Sequence, residues 1–373
     1  MRTAQLAAVL LAFLVAPLAA SGAEPKLDAA SWYLVGEDGS VLARNDAARS
    51  RAIASITKVM TAVVALEEAN LSDVVRVPPR VTRAGESSAA LRTGEELTVA
   101  QLVRAMLVPS GNDAADALAL HLGDGSADRF VDRMNAKAAE LGLTDTTFVN
   151  AHGLDEPGHV SSARDATKLV RYALGIPFLR DAMSRETTTL PGGRTLTTTD
   201  DLLASWPPLV AGKTGHTADA GWSQAAAARK RGVTVYGTVL GSPSRDARND
   251  SLRELLAYGL AQYRRVQLID RGRVYATVVT GYGQPDVQLV APRSLVRSLR
   301  SGRPLLQRVV APSSLALPIA EGQSLGRIEV YDGNELVAAS SLVSATAVPD
   351  ASLLAKAKWY LTETASNLWG IVA

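Results

Sequence analysis

Ser55-Ile56-Thr57-Lys58-Val59-Met60-Thr61-Ala62-Val63-Val64-Ala65-Leu66-Glu67-Glu68-Ala69 reads as a helix with a serine at its first position. Val59, Ala62, Val63 and Leu66 recur at helical spacing, and Glu67 and Glu68 mark the solvated end. Ser55 and Lys58 stand at i and i+3, so their side chains share one face within mutual reach. A serine hydroxyl is a weak nucleophile at neutral pH and needs a base; a lysine withdrawn from water can take its proton. Ser-x-x-Lys arises by chance in most long chains, so its meaning rests on what lies further along.

Two later motifs supply that context. Thr98-Val99-Ala100-Gln101 fits a capping box opening a helix through Leu107, which Pro109 ends. Further helices follow from about Asp113 and from Ser126 to Leu141, the latter closed by Gly142. Ser110-Gly111-Asn112 is therefore a joint between helices, where rigid flanks leave side chains free to project. Ser110 suits a proton relay between the lysine and a leaving nitrogen. The Asn112 amide suits hydrogen bonding to a substrate backbone, and it could equally cap the helix from Asp113.

Lys213-Thr214-Gly215-His216-Thr217 reads as an edge strand, continued by strands over Ser223 to Ala228 and Thr234 to Leu240. Gly215 removes a side chain where an added substrate strand must lie against the backbone. Lys213 offers a fixed positive charge, and the Thr214 hydroxyl a contact for a terminal carboxylate. The N–H groups of His216 and Ser55 offer an oxyanion hole. The three motifs together describe an acyl-transfer site.

Ser-x-x-Lys, Ser-x-Asn and Lys-Thr-Gly in this order resemble the signature of penicillin-binding proteins and class A β-lactamases. From about Ala29 to near the C-terminus the chain resembles the low-molecular-mass penicillin-binding proteins, the D-alanyl-D-alanine carboxypeptidases. The resemblance implies an α+β fold, an antiparallel sheet with helices followed by a small β-rich domain. It implies a serine DD-carboxypeptidase that removes the terminal D-alanine of peptidoglycan pentapeptide stems through a Ser55 acyl-enzyme, with β-lactam antibiotics as covalent inhibitors. Arg248, one residue before a helix over Asn249 to Tyr263, resembles the family's arginine seven residues before a Leu-Leu pair, here Leu255-Leu256. A bidentate arginine suits a free carboxylate, and Arg245 is its near rival. His159 with Ser161-Ser162-Ala163-Arg164-Asp165 resembles a family segment and is expected to wall the site. Thr199-Asp200-Asp201-Leu202-Leu203 departs from the asparagine-rich version the family places there.

Rival readings share these motifs. A β-lactamase needs a base that turns over the acyl-enzyme, typically a loop glutamate. Asp155 and Glu156 are the only acids inside the Thr146 to Asp165 stretch before its end, which reads as a surface loop, and neither stands in a Glu-x-x-Leu-Asn setting. A DD-endopeptidase uses the same residues, and a silent wall-binding protein would keep the cleft without turnover. No cofactor or metal is expected: the four histidines, His121, His152, His159 and His216, form no His-Glu-x-x-His.

Net charge is +2, and +1 without the leader's Arg2, which gives no basic field for nucleic acid. Residues 1–23 read as an export signal, with Arg2, an apolar run from Leu6 to Val15, Pro17 and small residues to Ala23, where cleavage is expected. The absence of cysteine excludes disulfides. The expected organisation is a peptidase domain over 24–263, a β-rich domain over 264–350 and an amphipathic helix over 351–373. Short β runs at Val266 to Ile269, Val274 to Val279, Val287 to Val290, Arg327 to Tyr331 and Leu336 to Ala339 support the second domain, the last two joined through Asp332-Gly333-Asn334. In the final helix Leu354, Leu361, Ala365, Leu368 and Val372 share a face, with Trp359 and Trp369 near it. That pattern fits an interfacial membrane helix or a helix packed on the β-rich domain. Family members often end in such an anchor.

Overall fold

The computed structural model describes residues 24–81 and 87–362, and the backbone of 11–15 and 363–372. The chain divides into two units, Gly22–Gln262 and Tyr263–Ala373, the latter joined by Met1–Ser21.

The first unit is built on a five-stranded antiparallel sheet. Its strands run Val41–Asn45, Ser31–Gly36, Val233–Ser242, Gly221–Lys230 and Leu209–Thr217 across the sheet. The strand carrying Lys-Thr-Gly is thus an edge, paired on one side only, with Lys213 opposite Ala225 and His216 opposite Trp222. Helices cover both faces. Thr238 hydrogen-bonds to Thr167 at 2.7 Å, on the helix Ala163–Gly175. The adjacent Gly237 position faces Leu255 and Leu256 of the helix Arg245–Ala261. Successive strand residues point to opposite faces, so the two helices sandwich the sheet.

The serine segment differs from its sequence reading in two respects. Ala54–Thr57 is a 3₁₀ turn, and the α-helix begins only at Lys58, running to Glu68. Every residue from Lys58 to Ala65 is buried, so this helix has no solvated face along most of its length; small and β-branched side chains let other helices crowd it from all sides. Those neighbours include Val99–Leu107, Asn112–Leu122 and Ala127–Glu140. The expected capping box is present, with Gln101 N–H donating to Thr98 Oγ1 and Thr98 N–H to Gln101 Oε1.

The helix expected from Asn249 begins four residues earlier, because Ser244 caps it by accepting from the Ala247 N–H at 3.1 Å. Arg248 therefore projects from the first turn of a helix. The stretch from Thr146 to Asp165 is also no free surface loop. Isolated bridges join Arg51 to Ser161 and Thr147 to Val160, and His159, Ser161, Ser162 and Asp165 are buried.

In the second unit a largely antiparallel sheet encloses its own core of Val287, Leu289, Ile328, Val330 and Leu342. The hairpin at Gly333-Asn334 pairs Asp332 with Glu335. Strands Leu295–Arg300 and Leu305–Val310 were not expected from the sequence. The leader expected over residues 1–23 lies outside the described residues, apart from the backbone of Leu11–Val15, a strand antiparallel to Leu305–Val310. The last helix, Leu353–Val372, leaves Leu353, Leu354 and Leu361 exposed, while Trp359 and Tyr360 pack edge-on against Tyr282. The side chains of Ala365, Leu368, Trp369 and Val372 lie outside the described residues. Among the described residues no helix is long and apolar enough to cross a membrane.

Candidate active site

Ser55 is half-buried, the second residue of the 3₁₀ turn Ala54–Thr57. Ala54, just before it, adopts φ +48°, a left-handed conformation that costs a non-glycine residue about 1–2 kcal/mol. Packing on both sides enforces it. A Cβ at Gly153 would lie 2.0 Å from the Ala54 carbonyl oxygen. One at Gly215 would lie 2.8 Å from the Ile53 oxygen and 3.1 Å from the Ser55 nitrogen. Gly215 thus makes room for the protein's own serine turn, which brings the edge strand against Ser55.

The Lys58 amine, fully buried, is surrounded by three oxygens: Ser55 Oγ at 2.6 Å, Asn112 Oδ1 at 2.7 Å and the His152 carbonyl at 2.6 Å. The amide and carbonyl oxygens can only accept, so the nitrogen donates to both. Ser55 Oγ is the member of this trio that can give as well as take a proton.

Asn112 does not cap its helix, as the sequence allowed. Gly111 holds the cap position, and Asn112 is the first helical residue with its oxygen committed to Lys58. Ser110 adopts φ +69°. Its Oγ accepts from Lys213 Nζ at 3.0 Å, and the same amine donates to the Thr214 carbonyl at 2.9 Å. Burial pushes Lys213 down to about 7, with Asp200 opposing and Arg248 reinforcing the shift. Burial thus weakens the ammonium that the sequence offers as a fixed charge.

Ser55, Ser110, Thr214, Gly215, His216, Trp222, Arg245 and Arg248 line one cavity of about 380 Å³ together with Ser87 and Thr199. The two arginines differ in their commitments. Arg245, at the surface, is bidentate to Asp201, with Nε and Nη2 each 2.6 Å from a carboxylate oxygen. Arg248 is buried; its Nε and Nη2 donate to Asn249 Oδ1, and Asp201 is 3.6 Å away. Its guanidinium lies 5.8 Å from the Trp222 ring centre, and Trp222 stacks on His216 with centroids 4.0 Å apart.

Sequence reasoning missed the residues behind these groups. The segment noted as a departure, Thr199 to Leu203, buttresses the edge strand. Thr199 and Thr214 share a hydrogen bond at 2.7 Å, and Asp200, buried, accepts from Gln224 Nε2 at 2.7 Å. His159, expected to wall the site, is buried behind the serine turn. Its Nδ1 accepts from the Val149 N–H at 3.0 Å, which places the proton on Nε2, the donor to Thr57 Oγ1 at 2.7 Å. Burial depresses this ring to about 4, in keeping with a neutral structural pin. Asp155 accepts from the Thr217 hydroxyl and the Asp219 N–H, and Glu156 from Asn150, so both candidate loop acids are engaged in holding the loop.

A serine hydroxyl against a lysine amine, with a second lysine and serine on the far rim and a sheet edge beside them, is the arrangement of serine acyl-transfer enzymes of the penicillin-binding-protein type. A family model described as D-alanyl-D-alanine carboxypeptidase matches residues 19–244, and one described as penicillin-binding protein 5, C-terminal domain, matches 263–350. The chain belongs to the D-alanyl-D-alanine carboxypeptidase family, and it is a serine-type peptidase of that class. D-alanyl-D-alanine carboxypeptidase DacD of Escherichia coli is 31% identical over 359 residues, covering 90% of this chain and 91% of that protein. DacF of Bacillus subtilis is 30% identical over 333 residues, 85% of each. Penicillin-binding protein 5 from Haemophilus influenzae superposes with a TM-score of 0.64 at 25% identity, covering 88% of this chain and 100% of that one.

Proposed function

We propose that Ser55 is the nucleophile of a DD-carboxypeptidase acting on the D-Ala-D-Ala ends of peptidoglycan pentapeptide stems. The observation that carries this reading is the setting of Lys58: its amine lies within hydrogen-bond distance of two oxygens that can only accept and of the Ser55 hydroxyl, 2.6 Å away. Ser55 Oγ passes its proton to Lys58 Nζ as the Oγ–C bond forms at the penultimate residue's carbonyl. The N–H groups of Ser55 and His216 hold the oxyanion. Collapse breaks the C–N bond: Ser110 gives its proton to the leaving D-alanine nitrogen and is replenished with the proton that Lys58 took from Ser55, which leaves Lys58 neutral. Water then attacks the acyl carbon and gives a proton to Lys58; the C–Oγ bond breaks as Lys58 returns that proton to Ser55 Oγ. A β-lactam enters the same first step, with its ring C–N bond as the one that breaks. Incubation with penicillin should add one antibiotic mass to the wild type and none to Ser55→Ala; an adduct on the intact alanine variant would refute the assignment.

Arg248 is proposed as the ligand of the substrate's terminal carboxylate, with Thr214 beside it. Both line the cavity, and Arg245 has its fork occupied by Asp201. Losing one partner of a buried charge pair costs roughly 2–5 kcal/mol, so Arg248→Ala should lower kcat/KM at least about 30-fold. The effect should vanish with a C-terminal amide substrate, which has no carboxylate to lose. Equal losses on acid and amide would move the carboxylate elsewhere.

Export through the N-terminal leader places this activity at the wall-facing side of the cytoplasmic membrane. The exposed Leu353, Leu354 and Leu361 support peripheral lipid contact by the last helix.

A further inference from the structure

His152 belongs to two places at once. Its main-chain carbonyl accepts from Lys58, while its ring lines a separate cavity of about 370 Å³ shared with Arg80, Asp116, Asp128, Asn150 and Glu156. The ring's Nδ1 accepts from the Leu154 N–H at 3.1 Å, so the proton of the neutral ring sits on Nε2. That nitrogen faces Asp116 Oδ1 at 3.7 Å. Asp116 lies one helical turn beyond Asn112, the other acceptor of Lys58. The His152 residue that meets one side of the amine thus packs its ring beside a carboxyl that the mechanism above does not use, on the helix whose first residue, Asn112, meets another side.

We propose that Asp116 is a positioning residue for Lys58: it steadies the His152 segment that cages the amine, and its negative charge sets the pH at which that amine yields its proton. The inference rests on Lys58 being the base for Ser55.

The charges around Asp116 come from every side. Lys58 on the serine helix and Arg80 from the preceding segment favour its ionised form, whereas Asp113 on its own helix opposes it. Asp128, Glu156 and the His152 ring complete the cavity, and His159 lies near enough to His152 to disfavour its charge. Glu156 accepts from Asn150 at 3.0 Å, and Arg80 donates to the Gly125 carbonyl at 2.7 Å, so each has a commitment of its own. Burial, the largest influence, raises Asp116 to about 6 and lowers His152 to about 4. At neutral pH the pair is a carboxylate facing a neutral ring. A carboxylate beside Lys58 favours the ammonium, so removing it makes the amine available at lower pH.

The test is the pH dependence of kcat/KM for D-alanine release from a D-Ala-D-Ala peptide by the full exported chain, from pH 5 to 9. Asp116→Asn should move the acid limb down by about half a pH unit or more, with the plateau within about tenfold of wild type. Asp116→Glu should keep the wild-type limb, and Asp116→Ser substitutes for the asparagine variant should that one fail to fold. A limb coincident with wild type overturns the proposal. So does a uniform loss at every pH with a lower Tm, which would mark Asp116 as fold support alone. No D-alanine release from the wild type would instead count against the Ser55–Lys58 chemistry.

Discussion

Lys58→Met is expected to lower kcat/KM for D-alanine release by about 10³-fold or more, and to slow acylation by penicillin in the same proportion. Both reactions need the Ser55 proton removed as the bond forms, and methionine fills the space with a thioether that cannot take it. General base catalysis alone is worth about 10²–10⁴ in rate. The variant also strips a donor from Asn112 Oδ1 and from the His152 carbonyl, each an acceptor in a buried setting. Losing a donor at such a group costs up to about 1–3 kcal/mol, partly offset because no amine has to be withdrawn from water. The protein should therefore melt several degrees lower and still give a folded circular-dichroism spectrum at 25 °C. Mass spectrometry of the penicillin adduct over time, beside D-alanine release, separates loss of chemistry from loss of fold. A folded methionine variant that acylates within tenfold of wild type would remove Lys58 from the reaction.

What the sequence disclosed about this cage, and what it concealed, follows from which chemical groups are written in side chains. Ser55, Lys58, Ser110 and Lys213 are legible because their spacing is local or their motif is fixed. The His152 carbonyl is not, since every residue carries a carbonyl and only folding decides which one faces an amine. Asn112 illustrates an intermediate case. Its residue type fits a helix cap, a substrate ligand or a lysine partner, and the choice depends on Lys58, which is distant in sequence. The serine helix misleads in another way. Its periodic Val59, Ala62, Val63 and Leu66 suggest one apolar face, but Met60, Thr61 and Val64 on the other side are buried too.

The strands that escaped notice lie in the second unit. Leu295–Arg300 pairs with Tyr263–Ile269 yet buries none of its residues fully, so apolar alternation is absent from its side chains. Leu305–Val310 does alternate, but one of its inward residues is Gln307, whose amide donates to the Leu268 carbonyl at 3.0 Å. A buried glutamine satisfied in this way looks, in sequence, like a break in the pattern.

The two lysines have different surroundings and so are suited to different proton traffic. Lys58 lies against two groups that only accept, Asn112 Oδ1 and the His152 carbonyl, and against the Ser55 hydroxyl. Lys213 sits between the Ser110 hydroxyl and the Thr214 carbonyl, with its ammonium weakened to about 7. Burial weakens the Lys213 ammonium, and its donation to Ser110 Oγ fixes that hydroxyl on the rim of the cleft. Ser110 is held at φ +69° on that rim, a strained backbone that the adjoining helices must maintain.

Gly215→Ala is expected to cost about 10²–10³ in kcat/KM although it removes no functional group. The new Cβ would stand 2.8 Å from the Ile53 carbonyl oxygen, 3.0 Å from Ala54 Cβ and 3.1 Å from the Ser55 nitrogen. None of these atoms belongs to a flexible side chain that could swing aside. The serine turn cannot retreat either. Ala54 is already left-handed, and Gly153 abuts its carbonyl from another direction. The edge strand is the part that can give, because it is paired only to Gly221–Lys230. As it moves outward, the His216 N–H parts from the Ser55 N–H, and the oxyanion loses one of its two proposed donors. Turnover of the peptide and acylation by penicillin should fall together, since both pass through a tetrahedral oxyanion. The preference for a free carboxylate over an amide should persist, because Arg248 is carried on a different element. His216→Ala, which keeps the backbone N–H and discards the ring, should lose far less. A Gly215→Ala enzyme with wild-type kcat/KM would mean that the strand edge and the serine turn need no such close approach for catalysis.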